Sequence, residues 1–151
     1  MSHFGYKDHI NVDVEYGFVR CYSVTEASVH DSQVLPNILD DTNEGYGVWG
    51  DSAYRSALIE WFLVLLSWDS QIHERGYCNH PLTEQQQETN REKSKTRAKV
   101  EHVFGAWVNE MGGKLIRSIG IERARTNLGL RNLVFNLKRY VSLETRAVNA
   151  K

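Results

Sequence analysis

Residues 91–113, REKSKTRAKVEHVFGAWVNEMGG, contain the pattern around which the rest of the chain can be placed. The segment opens with five basic residues in nine. It then becomes apolar at helical spacing, at Val100, Val103, Phe104, Trp107 and Met111. It closes with Gly112 and Gly113, a pair suited to the left-handed turn that ends a helix. The pattern predicts an amphipathic helix.

Glu101 lies at the edge of this apolar stripe, about 100° from its centre. Arg97 precedes it by one turn on the same side of the helix. Two interpretations are open on this stretch alone. A carboxylate at the margin of a packed helix, with cations before it, could hold a metal ion beside a phosphate backbone. The same pattern also describes an ordinary amphipathic helix that carries a Glu–Arg pair.

The length of 151 residues predicts a single domain, residues 1–151, with a basic helical part at residues 91–146. The formal net charge of -1 conceals a division of the chain. Residues 1–90 hold four basic and 14 acidic residues, and residues 91–151 hold 14 basic and five acidic residues. The division predicts either a polyanionic partner for the basic part or mutual neutralisation of the two parts.

The sequence lacks the patterns of several common kinds of site and of secreted or membrane proteins. Cys21 and Cys78 form no CxxC pair, so neither a disulfide framework nor a thiolate metal site is predicted. The histidines lack HxxxH and HExxH spacing, and no GxxxxGK[ST] loop is present. The start of the chain has no signal-peptide pattern and the longest apolar run is far too short to span a membrane, so we expect a cytoplasmic protein.

Alternating and helical patterns predict an α/β chain. We expect an antiparallel hairpin from residues 5–25, a helix over residues 32–39 capped by Asp31, and a short strand at residues 48–54. A helix at residues 57–66, a strand at residues 69–73 and a capping box at residues 83–86 follow. The last element is a helix over residues 122–144, with one apolar side formed by Leu130, Leu133, Val134, Leu137, Tyr140 and Val141.

Asp51 stands at or near the C-terminal end of a predicted strand, in the small-residue context Gly50-Asp51-Ser52-Ala53. Ligands tend to bind beyond the C-terminal ends of strands in α/β folds. The alternative is a turn aspartate with no chemical role. Together with Glu101, Asp51 could supply the one or two carboxylates that Mg²⁺ takes from a protein when substrate phosphates complete its coordination.

Five segments, in this order, resemble bacterial insertion-sequence transposases of the DDE class, in particular the insertion-sequence-5 group of the insertion-sequence-4-like superfamily. They cover nearly the whole chain, about residues 4–144: GYKDHINVD (5–13), VTEASVHDSQV (24–34), VWGDSAYRS (48–56), RAKVEHVFG (97–105) and MGGKLIRSIGIERARTNLGLRNLVFNLKR (111–139). The resemblance implies a ribonuclease-H-like core, a mixed sheet with flanking helices, that cuts and rejoins DNA with Mg²⁺ (or Mn²⁺) held by Asp, Asp and Glu.

By position in these motifs, Asp51 resembles the second Asp and Glu101 resembles the Glu, as catalytic and metal-binding residues. Arg97 matches the arginine of the family signature Y-x2-R-x3-E-x6-K, whereas Ser94 and Val108 stand where its Tyr and Lys would be. The implied partners are insertion-sequence ends and target DNA, with a homo-oligomer or a full-length transposase as a protein partner, and no membrane. The residues predicted to contact DNA are basic: Arg91, Lys93, Lys95, Arg97, Lys99, Lys114, Arg117, Arg123 and Arg125.

The first Asp of the family lies on a strand before the GYK hairpin, and only MSHF precedes that hairpin here. Asp8 and Asp13 are on the next strand and do not replace it by motif. We therefore expect an incomplete core that lacks its central strand and the carboxylate that bridges the metal pair.

Three hypotheses follow from this departure. The chain is a transposase-derived protein that is inactive alone, a non-catalytic fragment that binds DNA or associates with a transposase, or a remnant that folds poorly.

Overall fold

The structure is a computed structural model that describes residues 5–40, 42, 47–113, 116 and 118–150. Its elements form a hairpin, a parallel strand pair with its connecting helix, and two long helices. In chain order they are β1 (Tyr6–Val12), β2 (Val19–Glu26), a 3₁₀ turn (Asp31–Gln33), α1 (Leu35–Ile38), β3 (Gly47–Gly50), α2 (Ala57–Leu65), β4 (Asp69–Ile72), α3 (Glu84–Glu110) and α4 (Ile121–Asn149).

The predicted antiparallel hairpin is confirmed, with Tyr6 opposite Glu26 and a bulge between Asn11 and Val12. Asp13 stabilises the turn between the two strands of the hairpin. The Asp13 carboxylate accepts hydrogen bonds from the backbone N–H groups of Glu15, Tyr16 and Phe18 at 2.8–3.1 Å. These bonds lower the pKa of Asp13 although its partial burial acts in the opposite direction.

The predicted strands on either side of Ala57–Leu65 form a parallel pair, β3 with β4, in which Gly50 lies opposite Ile72. A parallel pair requires a crossover, and α2 supplies it. The Ser56 side chain caps α2 by accepting the Ile59 N–H at 3.2 Å. Ile59 and Leu63 are buried and pack in one cluster with Ile72.

α3 runs for 27 residues and begins with the predicted capping box between Thr83 and Gln86. Val103 and Trp107 are its buried side chains, as the apolar stripe predicts. The helix ends at Glu110, and Gly112 and Gly113 both have φ of +87°, which glycine adopts without a steric penalty.

The prediction that Asp31 caps a helix over residues 32–39 is wrong. His30 caps the 3₁₀ turn by accepting the Ser32 N–H, and α1 begins only at Leu35. Pro36 explains the difference, because a helix from Ser32 would place a proline in its interior, where it lacks the N–H and clashes with the preceding turn. Asp31 instead pairs with Lys7 at 2.9 Å.

α4 is longer than predicted, and it packs through a different side from the apolar one seen in the sequence. Its buried residues are Ala124, Leu128, Asn132 and Phe135, while the predicted apolar side, Leu130 to Val141, is exposed. At 100° per residue the two sets lie on roughly opposite sides of the helix. The packed side includes small residues, since Ala124 is fully buried in the cluster with the hairpin and Gly129 lies beside the Tyr22 hydroxyl of β2.

The described residues form two separate two-stranded sheets, β1–β2 and β3–β4. One apolar cluster joins β1 and β2 to α3 and α4, and a second joins α1, α2 and β4. A mixed α/β architecture is therefore confirmed. No helix in the described part of the chain is long and apolar enough to cross a membrane.

Candidate functional site

A cavity of about 910 Å³ lies between the two sheets. β1 and β3 line two of its sides and α3 lines a third. Asp51 and Glu101, the two carboxylates predicted to act together, both line this cavity, as do Arg97 and Asp8. Residues 50 positions apart in the chain therefore open onto one space.

The parallel pairing of β3 and β4 positions Asp51. It directly follows β3, and the ladder extends one step further because the His73 N–H donates to the Gly50 carbonyl at 3.0 Å. The Asp51 carboxylate accepts the Ala53 N–H at 2.8 Å. Asp51 is thus both a turn residue and a cavity residue, so the two interpretations of its sequence context are compatible.

Glu101 forms the ion pair with Arg97 that the helical spacing predicts, at 2.9 Å. The Glu101 side chain is 57% exposed and that of Arg97 is 30% exposed. Solvent-exposed pairs of this kind contribute about 0–1 kcal/mol, so the pair does not prevent Glu101 from binding a cation. Arg97 Nε is buried and has no hydrogen-bond partner among the described residues.

His73 and Ser94 lie at the C-terminal end of β4, beside Asp51 and Arg97. The Ser94 hydroxyl donates to the Asn90 carbonyl at 2.8 Å, so it accepts a hydrogen bond from His73 Nε2, 3.2 Å away. Burial lowers the pKa of His73, Arg97 lowers it further, and Asp51 acts in the opposite direction. The neutral ring then carries its lone pair on Nδ1.

No motif in the sequence predicts a role for His73, although its position at the end of a predicted strand indicates that it lies near Asp51. His73 is the last residue of the strand predicted at residues 69–73. In a parallel pair, that end lies beside the end of the strand before Asp51.

Six of the described basic residues predicted to contact DNA divide into two sets. In the first set each cation pairs with a carboxylate three residues before it on its own helix, at 2.6–2.9 Å, and is exposed: Arg91, Lys95 and Arg125. In the second set, the half-buried Lys93 donates to the Ile72 carbonyl at 3.1 Å, Arg97 pairs with Glu101, and Lys99 donates to the Val14 carbonyl.

Arg123 is exposed on α4, and Lys114 and Arg117 lie outside the described residues. Among the described residues predicted to contact DNA, Lys93 and Arg97 stand beside the strand ends that position Asp51 and His73.

Asp8 lines the cavity from β1. Burial raises its pKa to about 7, although a hydrogen bond from Asn132 Nδ2 to Asp8 Oδ2 acts in the opposite direction. Asp8 Oδ1 is buried without a partner in the described part of the chain.

Asp51 and Glu101 present carboxylate oxygens to the cavity from two different elements. Mg²⁺ accepts one or two carboxylates when water and phosphate complete its coordination. Among the described residues, no group of three or more His, Cys, Asp or Glu side chains is arranged to hold a metal ion.

Comparison with known proteins relates this arrangement to one family. The family model described as "Transposase DDE domain" matches residues 2–137. A curated relative, "Transposase for insertion sequence element IS1106" from Neisseria meningitidis serogroup B, is 37% identical over 101 residues, which are 67% of this chain and 35% of the relative. The match thus spans about a third of that relative's length. No solved structure matches the chain.

Proposed function

This chain belongs to the transposase DDE domain family, and on that basis we propose that it acts in insertion-sequence DNA transposition through Asp51 and Glu101. One observation carries the proposal. Asp51 and Glu101, which resemble the second and third acidic residues of the family motifs, line the same cavity although 50 positions separate them. The hairpin, the following parallel pair and the helix with Glu101 support a ribonuclease-H-like assignment of the fold.

Asp51 and Glu101 would hold a divalent cation, Mg²⁺ or Mn²⁺. When bound, such an ion activates water and stabilises the charge that develops on a phosphodiester. Arg97 orients Glu101 through their ion pair. Lys93 and Arg97 stand where they would contact phosphate oxygens beside the carboxylates, and DNA is the proposed partner.

Binding of Mn²⁺ tests the proposed ligands without depending on activity. Because Mn²⁺ broadens nearby NMR signals, we expect it to broaden the amide signals of Ser52, Ala53 and residues 98–104. Glu101→Gln and Asp51→Asn should each abolish this broadening. Glu110→Gln should retain it, because Glu110 lies on the same helix but pairs with Lys138. Broadening that persists in both site variants would exclude Asp51 and Glu101 as ligands.

Contact with DNA is tested by the salt dependence of duplex binding in the matched variants Lys93→Ala and Lys95→Ala. Lys93 lies beside the strand ends and donates to the Ile72 carbonyl, whereas Lys95 is exposed on α3 and pairs with Glu92. Each lost phosphate contact lowers the slope of log affinity against log salt by about 0.9. We expect that decrease for Lys93→Ala and little change for Lys95→Ala. Equal decreases, or binding that does not depend on salt, would contradict this placement.

We expect no strand transfer by residues 1–151 alone, because the family resemblance implies a third carboxylate and the described residues offer no group of three ligands. A supercoiled plasmid incubated with the protein and Mg²⁺ should remain intact. Nicking that is abolished by Asp51→Asn would contradict this expectation.

A non-catalytic fragment that binds DNA or associates with a transposase is the second candidate, and the Arg97–Glu101 pair favours it as an ordinary helix pair. In that case DNA affinity survives Glu101→Gln, and Mn²⁺ produces no broadening at residues 98–104.

A further inference from the structure

Tyr54 connects the turn that carries Asp51 to the hairpin. Its backbone N–H donates to the Asp51 carbonyl at 3.2 Å, and both residues line the cavity. Its hydroxyl lies 3.2 Å from Nδ1 of His9, a residue of β1. The turn follows β3, and β1 and β3 belong to different sheets. One side chain therefore joins the Asp51 turn to an element of the other sheet.

The Tyr54 ring packs against the end of β3. A Cβ at Gly50 would lie 3.6 Å from Cδ2 of Tyr54, which is an ordinary van der Waals distance. The ring also packs on the apolar cluster that contains Ile72 of β4. Two torsions set the direction of a tyrosine ring. Because the ring packs at β3 and the hydroxyl bonds to β1, the orientation of Tyr54 is fixed at both ends.

His9 gives this hydroxyl a buried partner. His9 is 3% exposed, and its Nε2 lies 3.0 Å from the Thr25 hydroxyl of β2. Burial lowers the pKa of His9, so the ring is neutral at pH 7 and offers one N–H and one lone pair. Since each hydroxyl can donate or accept, Tyr54 and Thr25 satisfy both ring nitrogens. Without the Tyr54 hydroxyl, one buried ring nitrogen would lose its partner.

The Tyr54 hydroxyl is suited to hydrogen bonding and not to binding a cation as an anion. Burial raises the pKa of Tyr54, and the carboxylates of Asp31 and Asp51 raise it further. The hydroxyl therefore keeps its proton at neutral pH. Any effect of Tyr54 on a cation in the cavity acts through the turn that it shares with Asp51.

The orientation of the turn matters because the two proposed ligands belong to different parts of the fold. Glu101 lies on α3, which packs with β1 and β2 in one apolar cluster. The Tyr54 ring packs on the other cluster. The bond from Tyr54 to His9 therefore ties the Asp51 turn to the part of the molecule that holds Glu101.

We propose that Tyr54 and His9 are positioning residues for Asp51, because their hydrogen bond fixes the turn at residues 51–54 so that the Asp51 carboxylate opens onto the cavity together with Glu101. The inference rests on the function proposed above, since Asp51 is a metal ligand only under that proposal. Neither positioning residue contacts the metal ion or DNA.

The matched variants Tyr54→Phe and Tyr6→Phe test this role. Each removes one hydroxyl and one hydrogen bond and keeps the ring, but the Tyr6 hydroxyl accepts the Gly120 N–H at 2.9 Å, just before α4. We expect Tyr54→Phe to weaken Mn²⁺ binding at least about threefold, less than the 10–100-fold typical of groups bonded directly to a ligand. Tyr6→Phe should leave the affinity unchanged. Electron paramagnetic resonance of free Mn²⁺ measures both affinities.

Hydrogen exchange without metal tests the turn itself. The N–H groups of residues 53–55 all donate hydrogen bonds within the turn. We expect Tyr54→Phe to accelerate their exchange about fivefold, the factor that corresponds to one net hydrogen bond. Tyr6→Phe should not change it. Unchanged exchange at residues 53–55 in Tyr54→Phe would overturn the proposal.

The Mn²⁺ affinities separate failure of the positioning role from failure of the proposed ligands. A merely structural role lowers the stability of Tyr54→Phe but leaves the Mn²⁺ affinity of the folded protein unchanged. Equal Mn²⁺ affinities in wild type and Tyr54→Phe would thus overturn the positioning role and leave the ligands in place. If the wild-type protein bound no Mn²⁺, the ligand assignment would fail and the positioning role with it.

Discussion

Asp8 combines burial, an unpaired oxygen and a position on the cavity wall. Burial raises its pKa from the ordinary value of 3.8 to about 7. Between these values the folded chain keeps a proton that the unfolded chain has lost, so the free energy of unfolding falls as pH rises from about 4 to 7. The effect amounts to at most about 4 kcal/mol, since about three pH units each contribute at most about 1.4 kcal/mol.

We predict that Asp8→Asn removes this pH dependence and raises the stability of the protein at pH 7 relative to wild type. Urea unfolding of both proteins between pH 4 and pH 8 measures the difference. Burial lowers the pKa of His9 and makes its effect opposite in sign, so only the wild-type-minus-variant difference isolates Asp8. A constant difference across this range would show that Asp8 is not buried as described.

Individual site residues were predictable to different degrees. Asp51 follows a recognisable apolar strand, and Glu101 and Arg97 follow from helical spacing, so the sequence alone identified all three. The position of Asp8 could not be deduced, because its environment depends on the long-range packing of Asn132, 124 residues away in the chain. The roles of Asp51 and Glu101 as metal ligands stay predictions.

The buried side and the exposed side of α4 contribute differently to the free energy of unfolding. Leu128 is 3% exposed within the cluster that joins both long helices to the hairpin, whereas Leu133 is 54% exposed. We predict that Leu128→Ala destabilises the protein by about 2–5 kcal/mol. Leu133→Ala should cost less than about 0.5 kcal/mol, since surface substitutions away from special features have small effects. Thermal or urea unfolding of the pair measures both values.

Similar losses of stability in Leu128→Ala and Leu133→Ala would mean that the exposed side of α4 is covered in solution. Repeating the unfolding at several protein concentrations distinguishes self-association from intramolecular packing, because only the former makes the apparent stability depend on concentration.

Element types and most boundaries were predictable, and the packing side of α4 was not. Alternation, capping and glycine positions are local signals, and they correctly placed the hairpin, the two strands on either side of α2, and α3. The side on which a helix packs depends on its partner. The packed side of α4 includes Ala124, whereas the pattern of large apolar residues indicates the opposite side.

At the scale of the whole molecule, the chain has two apolar clusters on either side of a cavity. β1, β2 and α4 belong to the first, and α1, α2 and β4 belong to the second. Among the described residues β1 and β3 are not hydrogen-bonded to each other, and both line the cavity. α3 connects the two parts, since Asn90 near its start exchanges hydrogen bonds with the Glu74 backbone at 2.9 and 3.1 Å.

Because the clusters are separate, we expect them to open separately. Leu63 is fully buried in the second cluster and Leu128 is buried in the first, so Leu63→Ala and Leu128→Ala form a matched pair. In native-state hydrogen exchange, Leu63→Ala should lower the opening free energy of amides in α2, β3 and β4 by about 2–5 kcal/mol and leave β1 and β2 nearly unchanged. Leu128→Ala should do the reverse. If either variant lowered the opening free energies of all amides equally, the chain would be a single cooperative unit and the two sheets would be coupled.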